Sequence, residues 1–336
     1  MMKTLFPEED TMVSFEAFMA YALHDPLHGY YARRISTVGR GGDFTTTAEI
    51  SPALAKAIAD WLVKQLRATK CRDVIELGPG SGALAAEVRE NLPWSWRMRI
   101  RWHLVETSST LREIQAKRHE LRKTRWHDSV ASALEACAGA ACIYSNEFFD
   151  AFPVRLFQRG HQVWQEVFVQ HSNGAFIEVL SDADVLPSSC IWRRDWPVGQ
   201  RVEVHDDVRD WLEDLAMHWR CGAMLTIDYG ASLDQMYVRQ PRGSLRAYFM
   251  QQRMAGAGIY QNVGRQDLTA DVNFTDLIEW SSAFVESGPL QSQRDFLLPW
   301  VNGGNPGDVF AVDPMGAGEA FRVWECRRNI SYSRDK

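Results

Sequence analysis

A glycine-rich string between two regular segments has the residue types that a bound cofactor requires. The string Glu76-Leu77-Gly78-Pro79-Gly80-Ser81-Gly82 follows the apolar run DVIEL and precedes ALAAEVREN, which has a helical pattern. Glycines let a backbone turn sharply and approach a ligand, and the amides at a helix N-terminus then face that ligand. The spacing differs from the GxGxxG of hydride-transfer enzymes. A purely structural turn explains such a string equally well, so a second signal is needed.

Carboxylates follow the next two strand-like runs. Glu106 ends IRWHLVE, roughly 20 residues beyond the glycines, where an acid can bind both ribose hydroxyls of a nucleotide. The alternative is a solvated carboxylate at a strand end. Asp128, in Trp126-His127-Asp128, either reaches an adenine amino group or caps a helix.

Another polar group ends the run ACIYSN. It consists of Asn146 and Glu147, with Asp150 in the residues that follow. The carboxyl ends of parallel strands are where open α/β sheets place their sites. Together these side chains can hold a cationic or amine group. The alternative is a helix start, with Asn146 as its N-cap and the acids in its first turn.

The chain before residue 52 has features of a cover over such a site. Tyr30 and Tyr31 end HDPLHGYY, which breaks a helical pattern, and the loop from Gly39 to Ser51 contains Thr45 and Glu49. We expect Thr45 to bind the cofactor, and the two tyrosines and Glu49 to form a substrate-facing lid. Alternatively, the tyrosines only pack and the loop only leads into a capped helix.

The elements that must position these residues follow from hydrophobic periodicity. From residue 73, strand-like and helical runs alternate, which predicts an α/β fold with a parallel, doubly wound sheet. VRLFQ, VWQEVFV and AFIEVL, separated by turn signals, predict an antiparallel β insertion. The predicted divisions are an N-terminal helical cap and lid (1–70), the first part of the core (71–153), the insertion (154–204) and the rest of the core (205–336), with a substrate-facing segment (231–272).

Individual elements are predicted on the same basis. Ser51 and Pro52 are typical of an N-cap and first helical position. Helices are predicted over 12–24, 108–123, 205–219 and 274–288, strands at AMLTIDYG, DVFAV and AFRVWEC, and irregular structure over 231–272.

Composition excludes several classes of protein. Hydrophobic residues make up 46% and charged residues 24%, which is ordinary globular usage. No uncharged apolar run approaches the ~18 residues that a membrane span needs. Lys and Arg number 37 against 43 Asp and Glu, and this acidic balance argues against a nucleic-acid partner. Six cysteines without a CxxC pair or a Cys/His metal spacing predict reduced thiols, a cytosolic (cytoplasmic) protein and no metal.

The motifs occur in an order that resembles a known family. The series is FMAYALHDPLHGYY, GDFTTTAEIS, ELGPGSGAL, LVETSSTLREIQ, SNEFFDAFP, TIDYG, RGSLRAY, DLTADVNF and SQRDFL. It resembles the MidA-like methyltransferases, which include the mitochondrial complex I assembly factor that acts as a protein arginine methyltransferase. HGYY, GDFxTxxEIS and NEFFDAxP in that order are much more specific than ELGPGSG.

The resemblance implies a class I methyltransferase (Rossmann-like) fold that uses S-adenosyl-L-methionine. Gly78, Gly80 and Gly82 match the cofactor loop, after Glu76, and Glu106 matches the ribose-binding acid. The catalytic candidates Asn146, Glu147 and Asp150 match a motif beside the reacting methyl group. The chain departs from the family at three places, which are Ala48 for Pro, Ser81-Gly82-Ala83 for Arg-Gly-Thr, and FMQQ after Tyr248 where a His is usual.

The resulting hypothesis is a methyltransferase acting on a protein arginine side chain. A guanidinium is always charged, so Glu147 and Asp150 would grip it while one nitrogen faces the methyl group. Alternatives are a small-molecule O- or N-methyltransferase, because the departures lie in substrate-facing segments, and an assembly factor that binds the cofactor without catalysis. Partners are expected to be a protein or a small molecule, with neither nucleic acid nor membrane. The oligomeric state stays open, a homodimer included.

Overall fold

The computed structural model describes residues 5–6, 11–33, 51–121, 123–238, 240–250 and 252–329. The strands are β1 (Met12–Ser14), β2 (Asp73–Leu77), β3 (Arg101–Val105), β4 (Arg125–His127), β5 (Cys142–Asn146), β6 (Arg155–Arg159), β7 (Trp164–Ser172), β8 (Ala175–Asp182), β9 (Arg201–Val204), β10 (Gly222–Ala231), β11 (Arg246–Phe249), β12 (Gln252–Met254), β13 (Asp267–Thr269), β14 (Val272–Asn273), β15 (Glu286–Ser287), β16 (Gln291–Ser292) and β17 (Phe321–Arg328).

The helices are α1 (Phe15–His24), α2 (Tyr30–Arg33), α3 (Pro52–Thr69), α4 (Ala83–Asn91), α5 (Trp94–Arg97), α6 (Ser109–Ala116), α7 (Val130–Ala136), α8 (Asp206–His218), α9 (Phe274–Ser281), α10 (Gln293–Leu297), α11 (Pro306–Ala311) and α12 (Ala317–Ala320). Short 3₁₀ turns lie at His119–Leu121, Phe149–Ala151, Cys190–Arg193, Gly256–Tyr260 and Leu298–Trp300. Across the described ranges, every helix is too short or too polar to cross a membrane.

The chain forms two compact units, each assembled from three segments. The core unit comprises Thr45–Phe148, Trp211–Tyr229 and Ile278–Lys336. The second unit comprises Met1–Phe44, Phe149–Asp210 and Gly230–Leu277. The four-part division predicted from the sequence stays a prediction.

The core unit contains the predicted doubly wound sheet. Its strands run in the order β15-β17-β10-β5-β2-β3-β4. β10, β5, β2, β3 and β4 are parallel, whereas β17 pairs antiparallel with β10. Because the carboxyl ends of the parallel strands lie at one edge, the loops after β2, β3 and β5 emerge there together.

Helix α3 covers this sheet with an apolar face whose spacing the sequence shows. Its predicted core residues are all buried and are Leu54, Ile58, Trp61, Leu62 and Leu66. The predicted N-cap, Ser51, occupies that position but makes no side-chain capping bond. Instead, Asp308 Oδ1 accepts hydrogen bonds from Ser51 Oγ (2.7 Å) and Ala53 N (3.0 Å). A distant carboxylate therefore supplies the cap.

The second unit is built mainly from antiparallel strands. The predicted insertion strands become β6, β7 and β8, and β1 and β9 complete a five-stranded sheet. A separate three-stranded sheet, β12-β11-β13, lies within the segment that we expected to be irregular. Its residues are too few and too polar to show a period-2 pattern, so the strands depend on tertiary pairing.

Several predicted element boundaries are wrong for identifiable reasons. The first helix begins at Phe15, because Met12–Ser14 pair with β7 and Ser14 Oγ accepts a capping bond from Ala17 N. The run DVFAV is helical, because Asn305 caps α11 and Pro306 occupies its first position. The helices predicted over 108–123 and 274–288 end at Ala116 and Ser281.

We predict that Asp308→Ala destabilises the core unit by about 2–4 kcal/mol. The substitution removes the cap of α3 and leaves the buried hydroxyl of Ser51 without its acceptor. Chemical denaturation measures the loss. Asp60→Ala, on the exposed side of the same helix, is the control and should change stability by less than about 0.5 kcal/mol. Equal effects of the two variants would contradict the capping role.

Candidate functional site

The glycine string forms the turn between β2 and α4, and each of its glycines has a positive φ. The angles are 59° at Gly78, 52° at Gly80 and 73° at Gly82. Residues with a side chain adopt this left-handed region only at an energetic cost. The amide of Gly78 donates to the carbonyl of Val105 (3.1 Å), which ties the start of the turn to β3.

The three glycines differ in what surrounds them. A Cβ at Gly78 would lie 2.9 Å from the Phe148 ring, and one at Gly82 would lie 2.9 Å from Leu121. A Cβ at Gly80 would meet nothing within 4 Å. Gly78 and Gly82 are therefore required for packing, whereas Gly80 borders open space that a ligand can occupy.

A buried amide, Gln115 of α6, joins this loop to the predicted ribose acid. Gln115 is 0% exposed, and its Nε2 donates to the Gly80 carbonyl at 2.8 Å. The same nitrogen lies 3.4 Å from Glu106 Oε2, and its Oε1 accepts from Trp126 Nε1 at 2.7 Å. One side chain thus fixes the loop and the acid relative to each other.

Glu106 is held at the end of β3 in an environment that disfavours its charge. Its Oε1 accepts from Ser108 N at 2.8 Å. Burial raises the pKa of Glu106 to about 7, although the bonds from Ser108 and Gln115 oppose this shift. Each carboxylate oxygen has a second lone pair, so the group retains acceptor capacity for two hydroxyls.

Glu76 and Asp128 occupy contrasting positions in the same unit. Glu76 is buried on β2 and accepts from Tyr144 Oη at 2.6 Å, and burial raises its pKa to about 8.

The side chain of Asp128 is 85% exposed and forms an ion pair with Arg112. Helix α7 is capped by Ser129, so the alternative in which Asp128 caps a helix is wrong. Its cofactor role stays a prediction.

The turn after β5 places Asn146 and Glu147 at the same sheet edge as the glycine loop. Ser145 pairs with Leu77, so Asn146, the last residue of β5, lies beside Gly78, the first residue after β2. Asn146 Nδ2 donates to Glu147 Oε1 at 3.0 Å. Within the described ranges, the buried Asn146 Oδ1 has no hydrogen-bond partner.

Glu147 has a strained backbone that a neighbouring carboxylate stabilises. Its φ of 55° is costly for a residue other than glycine, and such strain tends to be found at functional sites. Its amide donates to the Ile227 carbonyl at 3.0 Å, and Phe148 N donates to Asp228 Oδ2 at 3.0 Å. No α-helix begins here, so the interpretation of Asn146 as a helix N-cap is wrong.

In the second unit, Asp150 belongs to a buried cluster drawn from distant segments. Burial, and then the neighbouring Asp267, raise the pKa of Asp150 to about 7, whereas Arg246 lowers it. Burial also raises the pKa of Asp267 to about 7, and this carboxyl accepts from Tyr31 Oη at 3.0 Å. Arg246 Nη1 donates to Asp271 Oδ1 at 2.5 Å. Four of the motifs that carry the family resemblance contribute residues to this cluster, and they are HGYY, NEFFDAFP, RGSLRAY and DLTADVNF.

The predicted lid residues are only partly described. Tyr30 packs edge-on against Tyr31, with ring centroids 5.3 Å apart, and Tyr31 stacks on His24 at 5.4 Å. Both tyrosines therefore have packing roles, and Tyr31 also makes the bond to Asp267. Thr45, Glu49 and Ala48 lie outside the described residues.

Three side chains with metal-binding atoms also meet in the core unit. Ligand atoms of Asp73, His103 and Cys137 lie within 4.8 Å of one another. Asp73 accepts from Arg101 through both oxygens, and its Oδ1 lies 3.1 Å from His103 Nε2. His103 Nδ1 lies 2.9 Å from His127 Nε2. Hydrogen bonds account for this arrangement without an ion.

The structure brings together most of the residues that were predicted on the core unit. Gly80, Gly82 and Glu106 lie around Gln115, and Gly78 is bonded to the end of β3. Asn146 and Glu147 share this edge of the sheet. Asp150 and the tyrosines belong to the second unit. Gln115 and Asp228 were missed as functional residues, although both lie in motifs that carry the resemblance, LREIQ and TIDYG.

Comparison with known proteins identifies relatives over most of the chain. A family model for S-adenosyl-L-methionine-dependent methyltransferases matches residues 57–288. The chain is 28% identical to the protein arginine methyltransferase NDUFAF7, mitochondrial, of Danio rerio, over 85% of this chain and 72% of that protein. The Homo sapiens protein of the same name is also 28% identical, over 85% and 69% of the two chains.

A solved structure from Burkholderia thailandensis, bound to S-adenosyl-homocysteine, has a similar fold. It is 25% identical with a TM-score of 0.84, over 94% of this chain and 88% of that chain. The prediction of a cytosolic protein is wrong by these comparisons, since the relatives are named as mitochondrial proteins. Reduced cysteines do not distinguish between compartments that keep thiols reduced.

We predict that alanine at Gly80 and at Gly82 has different consequences. Both substitutions place Ala at a positive φ, which costs about 1–2 kcal/mol. The added methyl group of Gly82→Ala also clashes with Leu121, so this substitution should lower the melting temperature more than Gly80→Ala does. Gly80→Ala should instead weaken binding of S-adenosyl-homocysteine by at least ~10-fold, because its Cβ enters the open space. Thermal melts and calorimetry measure both quantities, and normal affinity in Gly80→Ala would exclude a ligand from that space.

We also predict that S-adenosyl-homocysteine binds more tightly at pH 8 than at pH 6. The pKa of Glu106 is raised to about 7, so the unliganded group is mainly protonated at pH 6 and must lose this proton to accept from both hydroxyls. Linkage then gives a dissociation constant ~10-fold larger at pH 6. Glu106→Gln should bind weakly at both pH values without this dependence. Calorimetry that shows a flat wild-type profile would remove Glu106 from the ribose role.

Proposed function

Because this chain belongs to the MidA-like family of S-adenosyl-L-methionine-dependent methyltransferases, we propose that it methylates arginine side chains of a protein. The predicted family, α/β methyltransferase fold and cofactor are confirmed. The arginine acceptor is the part that we propose. It is supported by the names of the relatives and by the carboxylate that follows β5.

The core unit has the groups that S-adenosylmethionine requires. Gly80 borders open space at the start of α4, and Glu106 keeps free lone pairs at the end of β3. We propose that these residues, with Gly78, Gly82, Glu76 and Asp128, hold the cofactor, and that Thr45 adds a contact. When bound, the cofactor supplies a methyl group on a cationic sulfur.

The observation that carries the proposal for arginine is the Asn146–Glu147 turn. A strained backbone holds Glu147 at the edge where the glycine loop emerges, and Asn146 aligns its carboxylate. A guanidinium cannot lose its proton in a protein, so it needs an anionic partner and an orienting acceptor. Glu147 provides the first and Asn146 Oδ1 the second.

The main proposed task of Asn146 and Glu147 is to align the acceptor guanidinium with the methyl group. Methyl transfer is an in-line displacement, and an acceptor nitrogen held in the reactive direction saves much of the entropic cost. Glu147 offers two oxygens in one plane, which match two N–H groups of a guanidinium. One remaining nitrogen can then face the methyl group. No general base has to act before the transfer, because the acceptor stays a charged guanidinium throughout and the methylated nitrogen releases its one extra proton to water.

We propose a second substrate role for Asp150, argued within its own unit. The carboxyl groups of Asp150 and Asp267 are buried close enough to repel each other when both are charged. The charge of Arg246 favours the ionised form of Asp150, and Tyr31 donates a hydrogen bond to Asp267. Because their pKa values are raised to about 7, they gain negative charge as the pH rises through neutrality. A cationic substrate group would be held better in the ionised state. Tyr30, Tyr31 and Glu49 stay predicted as lid residues.

We predict that Glu147→Gln lowers the rate of methyl transfer by ~10-fold or more. The amide keeps the shape but turns a charge-assisted hydrogen bond into a weaker neutral one, and each ~1.4 kcal/mol of barrier is tenfold in rate. S-adenosyl-homocysteine affinity should stay within ~3-fold, because Glu147 is placed on the acceptor side. Transfer of labelled methyl groups into lysate protein, followed by amino-acid analysis, measures the effect.

Matched controls make this experiment decisive. Glu135→Gln changes an exposed acid of α7 in the same unit and should leave transfer unchanged. Label in small metabolites would instead support the small-molecule methyltransferase, with a pH–rate profile that changes in Glu147→Gln. No transfer by a wild-type protein that binds the cofactor would favour the assembly factor. A lower melting temperature with unchanged turnover would assign Glu147 a structural role.

A further inference from the structure

A cavity lies at the other end of β2 from the glycine loop, where helix α3 ends. Its volume is about 250 Å³, and its lining includes Cys71 and, on an apolar side, Leu66, Trp96 and Ile100. The five residues of β2 separate Arg72 from Gly78, the first glycine of the loop, by on the order of 16 Å of extended chain. The cavity is thus separate from the proposed cofactor site.

Four cationic side chains surround this cavity. They are Arg67, Lys70, Arg72 and Arg99, and all are exposed. None has an ion-pair partner within the part of the chain that the structure describes. Arg67 lies over the Trp96 ring, 5.8 Å from its centroid, which orients one cation along the wall. The positive potential favours an anionic ligand.

Cys71 is not isolated, because two further thiols approach it. Cys71 Sγ lies 3.9 Å from the Thr69 carbonyl, and Cys221 Sγ lies 3.9 Å from the same oxygen. Cys71 Sγ also lies 3.7 Å from the Cys221 carbonyl. Cys142 is fully buried and its side chain interacts with that of Cys71, whereas Cys221 is only half-buried. Cys221 is therefore the thiol with room to move.

Neighbouring side chains also lower the pKa of Cys71. The thiol of Cys142, then the hydroxyl of Thr69 and the thiol of Cys221, lower the pKa of Cys71, although burial opposes them. In contrast, burial raises the pKa of the Cys137 thiol to about 12. Thiolates are the nucleophiles in disulfide exchange. Cys71 is 6% exposed, and it is one of the residues that line the cavity.

We propose that this cavity is a thiol-modification site, at which Cys71 reacts with a small anionic disulfide and Cys221 resolves the product. The ligand class is a low-molecular-weight disulfide that carries carboxylates. The surrounding cations bind the carboxylates, and the apolar side accommodates the carbon skeleton. This proposal is independent of the methyl acceptor.

Both steps are thiol–disulfide exchanges that balance without another reagent. The Cys71 sulfur attacks one ligand sulfur, the ligand S–S bond breaks, and the other half leaves as a thiolate that takes up a proton. Cys221 then attacks the Cys71 sulfur, releases the second half as a thiol, and forms the Cys71–Cys221 disulfide. Two protein thiols are oxidised and one ligand disulfide is reduced.

The test compares oxidised glutathione with cystamine, a disulfide that carries amines instead of carboxylates. Intact mass spectrometry and peptide mapping of the full chain follow the reaction. At low ionic strength, oxidised glutathione should modify Cys71 ~10-fold faster than cystamine does, and high salt should reduce this difference. Cys221→Ser should stop at the mixed disulfide, whereas the wild type proceeds to the internal disulfide.

Two comparisons separate this site from general thiol reactivity. Arg67→Gln should reduce the preference for the anionic disulfide, whereas Lys64→Gln, on the same helix but outside the cavity, should retain it. Cys326 is buried, and burial raises the pKa of its thiol, so it should stay unmodified. Equal rates with the two disulfides, or modification of Cys326 together with Cys71, would overturn the proposal.

Discussion

The hydrogen bonds of the Gln115 side-chain amide are the interactions on which the proposed cofactor site depends. Its nitrogen holds the carbonyl of Gly80 and approaches Glu106, while its oxygen accepts from Trp126. A buried amide has two donors and one acceptor oxygen, and this arrangement uses both ends. The glycine loop and the acid that is proposed to bind the ribose are therefore held in a fixed relation to each other. Gln115 also helps to exclude a side chain at Gly82, because an added Cβ there would lie 3.1 Å from its Cγ.

Local sequence was sufficient to predict the parallel core and the position of its loops. DVIEL, IRWHLVE and ACIYSN are short apolar runs followed by polar or glycine residues, and each forms a strand that ends where the pattern changes. The positions of the candidate site residues at these ends, Glu106 and Asn146–Glu147, could be located from that pattern. Gln115 could not, because a Gln within a helix gives no sign of which buried carbonyl it will meet.

The second unit was harder to predict because its stability depends on contacts between distant segments. β1 and β9 have too few residues to signal a strand, and they form by pairing with β7 and β6. The cluster around Asp150 joins Tyr31, Arg246 and Asp267, which are far apart in sequence. A motif series can indicate that these residues matter, but their raised pKa values arise only when the fold buries the acids together.

The cap that Asp308 provides for α3 has a consequence for how the chain reaches its native state. The bond to Ser51 joins residues 257 positions apart, and β17 must pair with β10 to complete its side of the sheet. Contacts of such high sequence separation carry a large loop-closure cost and slow folding. During synthesis, α3 and the strands β2, β3 and β5 emerge from the ribosome long before Asp308 and β17. An apolar helix face and an unpaired strand edge then stay exposed, and both are features that chaperones bind and that promote aggregation.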